Sequence, residues 1–197
     1  MKIISKIDQD FKVFIEKLNI AYRERESFGV KFSPLTEKDV YDTDSICALF
    51  DDGEMVAGAC FGKNKNGQVG IRHVWSDINK KRKGYASTLL SKIFDRLKGE
   101  GEKEVYLSVI GTYLPAVNLY NKLGFRKVSY FANSEGQPYG IKMVKSLSSQ
   151  GKFFFNLKCG FRNLAAKTKY ALLYNKKSKP RFLIKTLRKK KIRIKED

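Results

Sequence analysis

The amino-acid sequence predicts an α+β domain, a mixed and mostly antiparallel sheet flanked by helices, with a basic, partly helical C-terminal extension. Three observations carry this reading. Along the first 145 residues, short apolar runs of strand length alternate with apolar residues at the i, i+3, i+4 spacing of helices. Two hairpin signals, Asp51-Asp52-Gly53 and Asn66-Gly67, follow one another with apolar runs on either side. The charge balance then breaks at the small, polar stretch from Ser146 to Gly151. Beyond residue 145 lie 16 of the 40 Lys and Arg residues but only 2 of the 20 acidic ones. The chain therefore divides into a mixed-charge domain, 1–145, and a basic extension, 146–197.

Taken in order, Ile3 to Ile7 reads as a first strand. Phe11, Phe14, Ile15, Leu18 and Ala21 form one face of a helix. Ser45 to Phe50, Met55 to Phe61 and Val69 to Ser76 are three consecutive antiparallel strands, because Asp-Gly and Asn-Gly tolerate the positive φ of tight hairpin turns. A helix begins around Gly84, carries the stripe Ala86, Leu89, Leu90, Ile93, Phe94 and Leu97, and ends at Gly99 and Gly101. Val105 to Ile110 is nearly all apolar, as for a strand covered on both faces. Pro115 suits the first turn of a helix bearing Val117, Leu119, Tyr120 and Leu123, which Gly124 stops. Phe125 to Phe131 and Gly140 to Val144 close the domain as a hairpin. The order is β-α-β-β-β-α-β-α-β-β.

Composition narrows the function classes. In 197 residues with a net charge of +20, 42% hydrophobic and 13% aromatic residues suffice for a core and argue against a disordered chain. Cys47, Cys60 and Cys159 are far apart, form no CxxC pair and are joined by a single histidine, His73. A structural zinc site, a disulfide scaffold and any mechanism needing several imidazoles are thereby disfavoured, and no metal is expected. The start, MKIISKIDQDFKVF, has no signal-peptide run, and no stretch reaches the ~18 apolar residues of a membrane span. A cytoplasmic protein is expected, with the inner membrane surface left open by its basic extension.

One stretch is more informative than the rest, Val74 to Ala86. A strand ends there and leads into Lys80, Lys81, Arg82 and Lys83, then Gly84, Tyr85, Ala86 and a helix. The start of a helix offers unpaired N–H groups and a partial positive charge, a ready site for an anion. Gly84 and Ala86 have little or no side chain, so a phosphate can approach the backbone closely, and the four cations attract a polyanion. Taken alone, the same residues also suit a solvated loop.

The run Lys81-Arg82-Lys83-Gly84-Tyr85-Ala86 resembles the [Q/R]-x-x-G-x-[G/A] loop of the GNAT superfamily of acyl-CoA-dependent N-acetyltransferases. Downstream, Pro115-Ala116-Val117-Asn118-Leu119-Tyr120-Asn121-Lys122-Leu123-Gly124-Phe125 is similar to that family's P-A-x-x-L-Y-x-K-x-G-F signature. The resemblance spans residues 1–145 and implies a GNAT-like sheet in which the strand ending at Ser76 splays from the Val105 to Ile110 strand. It implies acetyl-CoA as cosubstrate, its pyrophosphate held by the backbone of Lys81, Arg82, Lys83, Gly84, Tyr85 and Ala86. Its pantetheine arm would pair like an added strand with the main chain of Val74, Trp75 and Ser76, with Asn118 beside it. Tyr120 matches the tyrosine that protonates the departing thiolate.

Transfer of an acetyl group from a thioester to an amine needs a neutral amine, a polarised carbonyl and a stabilised thiolate. Thiols, with a pKa of about 8.5, leave readily, so direct attack in a ternary complex suffices. Departures from the family pattern bear on the pantetheine arm, at Tyr113, and on the base, at Gly70 and Ser108. Tyr113 stands where relatives often carry Asn, and Gly70 and Ser108 stand where they often carry a glutamate. His73 and Asp77 are the candidate bases, with a water relay as the alternative. Structural roles stay open beside these functional ones: Tyr120 as a core aromatic, Trp75 as packing, and Cys47 and Cys60 as buried thiols acting as small hydrophobes.

The acceptor is left open among an amino sugar, a small amine and a protein amine. A different class is also open, a non-catalytic CoA-binding or degenerate module whose tail binds RNA or lipid. In the extension, Phe154, Leu157, Phe161, Leu164, Ala165, Thr168 and Leu172 fall near one helical face, with Lys158, Arg162 and Lys169 elsewhere. That pattern suits an anionic membrane surface. The clusters Lys176 to Arg181 and Lys189 to Arg193 also suit the phosphates of RNA. A third arrangement packs the Phe face back on the domain.

Overall fold

The computed structural model describes residues 1–6, 8–28, 33–40, 44–132, 138–148 and 152–173. Seven strands and four longer helices follow in the order β1 (Lys2–Ile4), α1 (Gln9–Arg23), β2 (Ser45–Asp51), β3 (Glu54–Lys63), β4 (Val69–Ser76), α2 (Tyr85–Gly99), β5 (Glu104–Ile110), α3 (Leu114–Lys122), β6 (Arg126–Ala132), β7 (Pro138–Ser146) and α4 (Lys152–Leu173). Short 3-10 turns occupy Glu24–Phe28, Glu37–Asp39 and Ile78–Lys80.

The strands form one sheet in the order β1-β2-β3-β4-β5-β7-β6. All neighbours are antiparallel except β4 and β5. That parallel pair follows from the chain itself, since a helical crossover of α2's length is what joins parallel neighbours. α2 and α3 cover one face, where Leu89, Leu90, Ile93, Val105, Leu107, Val117, Phe125 and Met143 pack together. α1 covers the other through Phe11, Phe14, Ile15 and Leu18, against Ile46, Met55, Cys60 and Trp75. Each fully buried Leu or Phe in these layers contributes about 1.5–3 kcal/mol. Cys47, Cys60 and Cys159 are all buried. Burial raises the Cys47 thiol to about 12, so it packs as a neutral small hydrophobe.

Two expectations change. The first strand ends at Ile4 rather than Ile7, which lies outside the described residues. The chain leaves the sheet because Ser5 and Asp8 close a turn, Asp8 N–H donating to the Ser5 carbonyl at 3.0 Å and Ser5 N–H to Asp8 Oδ2 at 3.1 Å. The β5 strand is covered on both faces only in part: Val105, Leu107 and Val109 are buried on one face, and on the other Tyr106 packs with the α4 cluster whereas Ser108 is exposed. The α4 helix, whose arrangement the sequence left open, docks on the sheet. Its inner face, with Phe155 and Cys159, packs on Val128 and Val144, while Arg126 donates to Asn156 at 3.1 Å and Tyr130 to Asn163 at 3.0 Å. Since Gly70 pairs with Tyr106, and Tyr106 with Val144, α4 lies on the same face of the sheet as α1.

Two features of β4 position the site. It pairs with β5 only at Gly70–Tyr106 and Ile71–Leu107, so residues 72–76 diverge from β5 and leave a gap. On its other side, Gly58 pairs with Trp75 and Cys60 with Arg72, so β4 spends one more residue than β3 over this span. That bulge contains His73 in the left-handed region, φ 52°. The extra residue exchanges the faces of the strand. Ile71 before it packs on the α2 side, whereas Trp75 after it packs under α1. There its indole meets Phe14 edge-on at 5.8 Å. Gly58 makes room for it, because a Cβ at that position would lie 2.4 Å from Trp75 Nε1 and 2.5 Å from the Phe14 ring.

Candidate active site

Between the diverging ends of β4 and β5 lies a cleft of about 470 Å³. Its walls include Arg72 to Ser76 from β4, Ser108 to Ile110 from β5, Lys81, Arg82 and Ala86 from the α2 approach, Tyr113 and Tyr120 from α3, and Tyr22, Glu24 and Arg25 from the end of α1. Both sequence signatures thus converge on one cavity, although they are far apart in the chain.

At its α2 end, Gly84 caps the helix with φ 80°, a left-handed conformation that disfavours side chains. A Cβ there would meet nothing within 4 Å, so the residue faces open space, and the first-turn amides of α2 border it. Arg82 is also left-handed, at φ 64°. Such alternation of hands turns successive amides toward one concavity. The four cations differ in role. Lys80 pairs with Glu54 at 2.8 Å and Lys81 pairs with Glu24, whereas no ion pair holds Arg82 or Lys83 among the described residues. Lys83, Gly84 and Tyr85 flank the cleft rather than line it; the Tyr85 hydroxyl bonds to Asp51 and anchors the helix start to the β2–β3 turn.

Residues 72–76 present a strand edge with no β5 partner, the geometry needed to accept an extended amide-bearing arm. One acceptor on this edge is already engaged, since Arg25 Nη2 donates to the Val74 carbonyl at 3.3 Å. The same guanidinium stacks 3.4 Å over the Tyr22 ring, and its buried Nε has no hydrogen-bond partner among the described residues. Trp75 contributes main chain to the gap, its side chain being buried under α1.

Tyr120 stands at the floor, edge-on to Phe125 at 5.7 Å and buried in the α2–α3 core while still lining the cleft. Burial pushes its phenol well above the usual tyrosine range, which keeps it protonated. His73 lies at the mouth with Nδ1 3.2 Å from the Tyr22 hydroxyl and the Asp39 main chain beside the ring. Burial holds its pKa below the ordinary 6.5 despite that support, so it is neutral at physiological pH. Asp77 does not line the cleft. Its carboxylate accepts from Asn79 N–H at 2.8 Å and pairs with Lys17 at 3.2 Å on the α1 side. Burial raises Asp77, but these partners outweigh it and leave the group below its usual range. Asn118 is exposed on α3 and is not a lining residue.

Tyr22, Glu24, Arg25 and the pair Arg72–Asp44 were not singled out from the sequence. Arg72 Nε donates to Asp44 Oδ2 at 2.9 Å, and the Asp44 side chain is wholly buried, which steadies β4 where it leaves β5. A signal for the first group existed. The stripe Phe11, Phe14, Ile15, Leu18 continues at positions 22 and 25, where a phenol and a guanidinium replace hydrocarbon.

Comparisons with solved structures agree with this architecture. An N-acetyltransferase from Staphylococcus aureus Mu50 superposes with a TM-score of 0.61 at 16% identity, over 75% of this chain and 97% of that one. An acetyltransferase of the GNAT family from the same organism gives 0.58 at 14% identity, over 75% and 99%. An IAA acetyltransferase from Bacillus cereus gives 0.54 at 13% identity, over 74% and 97%. At these identities the likeness is one of fold. No curated protein matches the chain by sequence. The family model for the acetyltransferase (GNAT) family matches residues 13–125. Because that stretch runs from within α1 past the end of α3 and so takes in the walls of the cleft, the chain belongs to the GNAT acetyltransferase family.

Proposed function

We propose that the protein is an N-acetyltransferase that moves an acetyl group from acetyl-CoA to a primary amine by direct attack in a ternary complex. We place the transferase domain at 1–145 and its basic extension at 146–197. The observation that carries the reading is the gap beside residues 72–76, open at one end to the left-handed Gly84 turn and at the other to Tyr120. These parts fit an acyl-CoA: an unpaired strand edge for its amide-bearing arm, and first-turn amides with Arg82 and Lys83 for its phosphates. The thioester supplies an activated acyl group.

In this reading the backbone of Lys81 to Ala86 binds phosphate, and the main chain of Val74, Trp75 and Ser76 orients the arm once Arg25 has yielded the Val74 carbonyl. Tyr22 and His73 receive the proton of the attacking amine. Tyr22 Oη accepts it while passing its own hydrogen to His73 Nδ1, and a hydrogen bond with the Asp39 main chain favours the charged ring that results. The C–N bond forms as the C–S bond breaks, and the Tyr120 hydroxyl gives its proton to the leaving sulfur. Each such proton transfer is worth ~10²–10⁴ in rate. Asp77, tied to Lys17 and Asn79 outside the cleft, has no part in this scheme.

Calorimetry with acetyl-CoA on wild type and Gly84→Glu tests the cofactor site. Binding by the wild type that the variant loses supports it; no binding, or equal binding, removes it. Thiol release over a panel of amino sugars, small amines and peptide amines then separates an enzyme from a module that holds CoA without turnover.

A further inference from the structure

The outer face of α4 is exposed although its inner face is docked. Phe154 is 73% exposed, Phe161 65%, Leu164 62% and Leu157 47%, so four bulky apolar side chains form one stripe in water. Their spacing, i, i+3, i+7, i+10, places them on a single side of the helix, opposite Phe155, Cys159 and Asn163, which hold α4 to the sheet. A monomeric surface rarely leaves such a stripe uncovered.

What covers it is indicated by charge. α4 carries five Lys or Arg residues and no acidic one. By helix geometry Lys158 and Lys167 lie on opposite flanks of the stripe, between it and the docked face. Lys127 on β6 adds a further cation, its amine lowered by burial and by Lys167 nearby. After α4, residues 174–197 add 11 Lys or Arg residues against Glu196 and Asp197. A second copy of the chain is a poor occupant, because pairing the stripes would bring two such cationic regions together. RNA answers the charge but offers no hydrocarbon for two phenylalanines and two leucines. An anionic bilayer answers both at once, with acyl chains for the stripe and headgroup phosphates for the flanking lysines.

We propose that α4 is a membrane-surface anchor, its Phe154, Leu157, Phe161 and Leu164 stripe seated at the headgroup–acyl boundary of an anionic bilayer with Lys158 and Lys167 at the headgroups. No described helix is long and apolar enough to cross a membrane, so the mode is lying on the surface rather than spanning it. The proposal is independent of the acyl-transfer reading, and neither falls with the other.

Flotation of the full-length protein with vesicles tests it, using phosphatidylcholine alone and phosphatidylcholine mixed with phosphatidylglycerol. Wild type should float with the mixed vesicles only. The double variant Phe154→Ser/Phe161→Ser, which alters two exposed positions and keeps every cation, should partition about tenfold less or weaker still. Wild type that stays in solution, or a variant that floats equally well, overturns the proposal, the latter because charge alone would then account for binding. Loss of a dimer in the variant with unchanged flotation overturns it in favour of a second copy. RNA retention without flotation overturns it in favour of nucleic acid. As a direct reading, Leu157→Trp should shift to shorter-wavelength emission and be quenched by brominated acyl chains in mixed vesicles; an unshifted spectrum contradicts insertion.

Discussion

The Tyr22 hydroxyl stands 3.2 Å from His73 Nδ1, joining the last turn of α1 to the bulge of β4 at the mouth of the cleft. Both line the cleft, and in the proposed mechanism the imidazole, held neutral by burial, takes the amine's proton by way of the phenol. Tyr22→Phe should therefore lower kcat by ~10²-fold while leaving acetyl-CoA affinity unchanged. Steady-state kinetics beside calorimetry reads both quantities, and an unaltered kcat would take the pair out of the mechanism.

The pH dependence follows from the same burial. The folded pKa of His73 lies below its ordinary 6.5, so between those two values the unfolded chain binds more protons. His73 thus costs the fold nothing above about pH 6.5, and stability is lost as pH falls from there through the folded value. Thermal melts of wild type and His73→Gln should converge above neutrality, apart from any constant offset, and the wild type alone should lose ground from this source in acid.

Tyr120 combines core packing with the proposed role of proton donor. Tyr120→Phe keeps the edge-on contact with Phe125 and removes only the hydroxyl. Turnover should fall by ~10²–10⁴ with the melting temperature changed little. A variant with full turnover would leave Tyr120 as a core aromatic.

Arg25 sits on a main-chain acceptor that the cofactor arm would use. If binding requires its displacement, Arg25→Ala should bind acetyl-CoA at least as tightly as wild type and associate faster in stopped-flow measurements. A loss of affinity beyond tenfold would instead place Arg25 among the groups that hold the cofactor.

Gly58 gives way to the indole of Trp75. Gly58→Ala puts a Cβ within 2.4–2.6 Å of indole atoms and 2.5 Å of Phe14, and both rings are locked in the α1 core. Overpacking of this kind costs about 1–3 kcal/mol, or roughly 3–10 °C in melting temperature for a domain of this size. Differential scanning calorimetry checks it; an unchanged transition would mean that α1 shifts freely on the sheet.

Much of the architecture was legible because it rests on local chemistry. Asp52-Gly53 and Asn66-Gly67 do turn the β2–β3–β4 meander, with Asp52, Gly53 and Gly67 at positive φ. The α2 stripe from Leu89 to Leu97 is buried as its spacing requires, and Gly84 opens that helix in the left-handed conformation. The location of the cleft was legible for the same reason, as both signatures lie at the helix starts that border it. Less visible was anything that depends on which segments meet. The divergence of β4 from β5 after Ile71, the bulge at His73 that sends Trp75 under α1, and the approach of Tyr22 and Arg25 to β4 are consequences of packing between different elements of the fold. So is the posture of α4: its amphipathic pattern is written in the sequence, but only docking on β6 shows that the phenylalanine stripe faces outward. Periodicity and turn residues are properties of neighbouring side chains, so sequence alone determined the elements and their order. Which faces are covered, and which polar groups meet across the sheet, is settled by the mutual exclusion of volumes in a close-packed interior, and that only the tertiary structure decided.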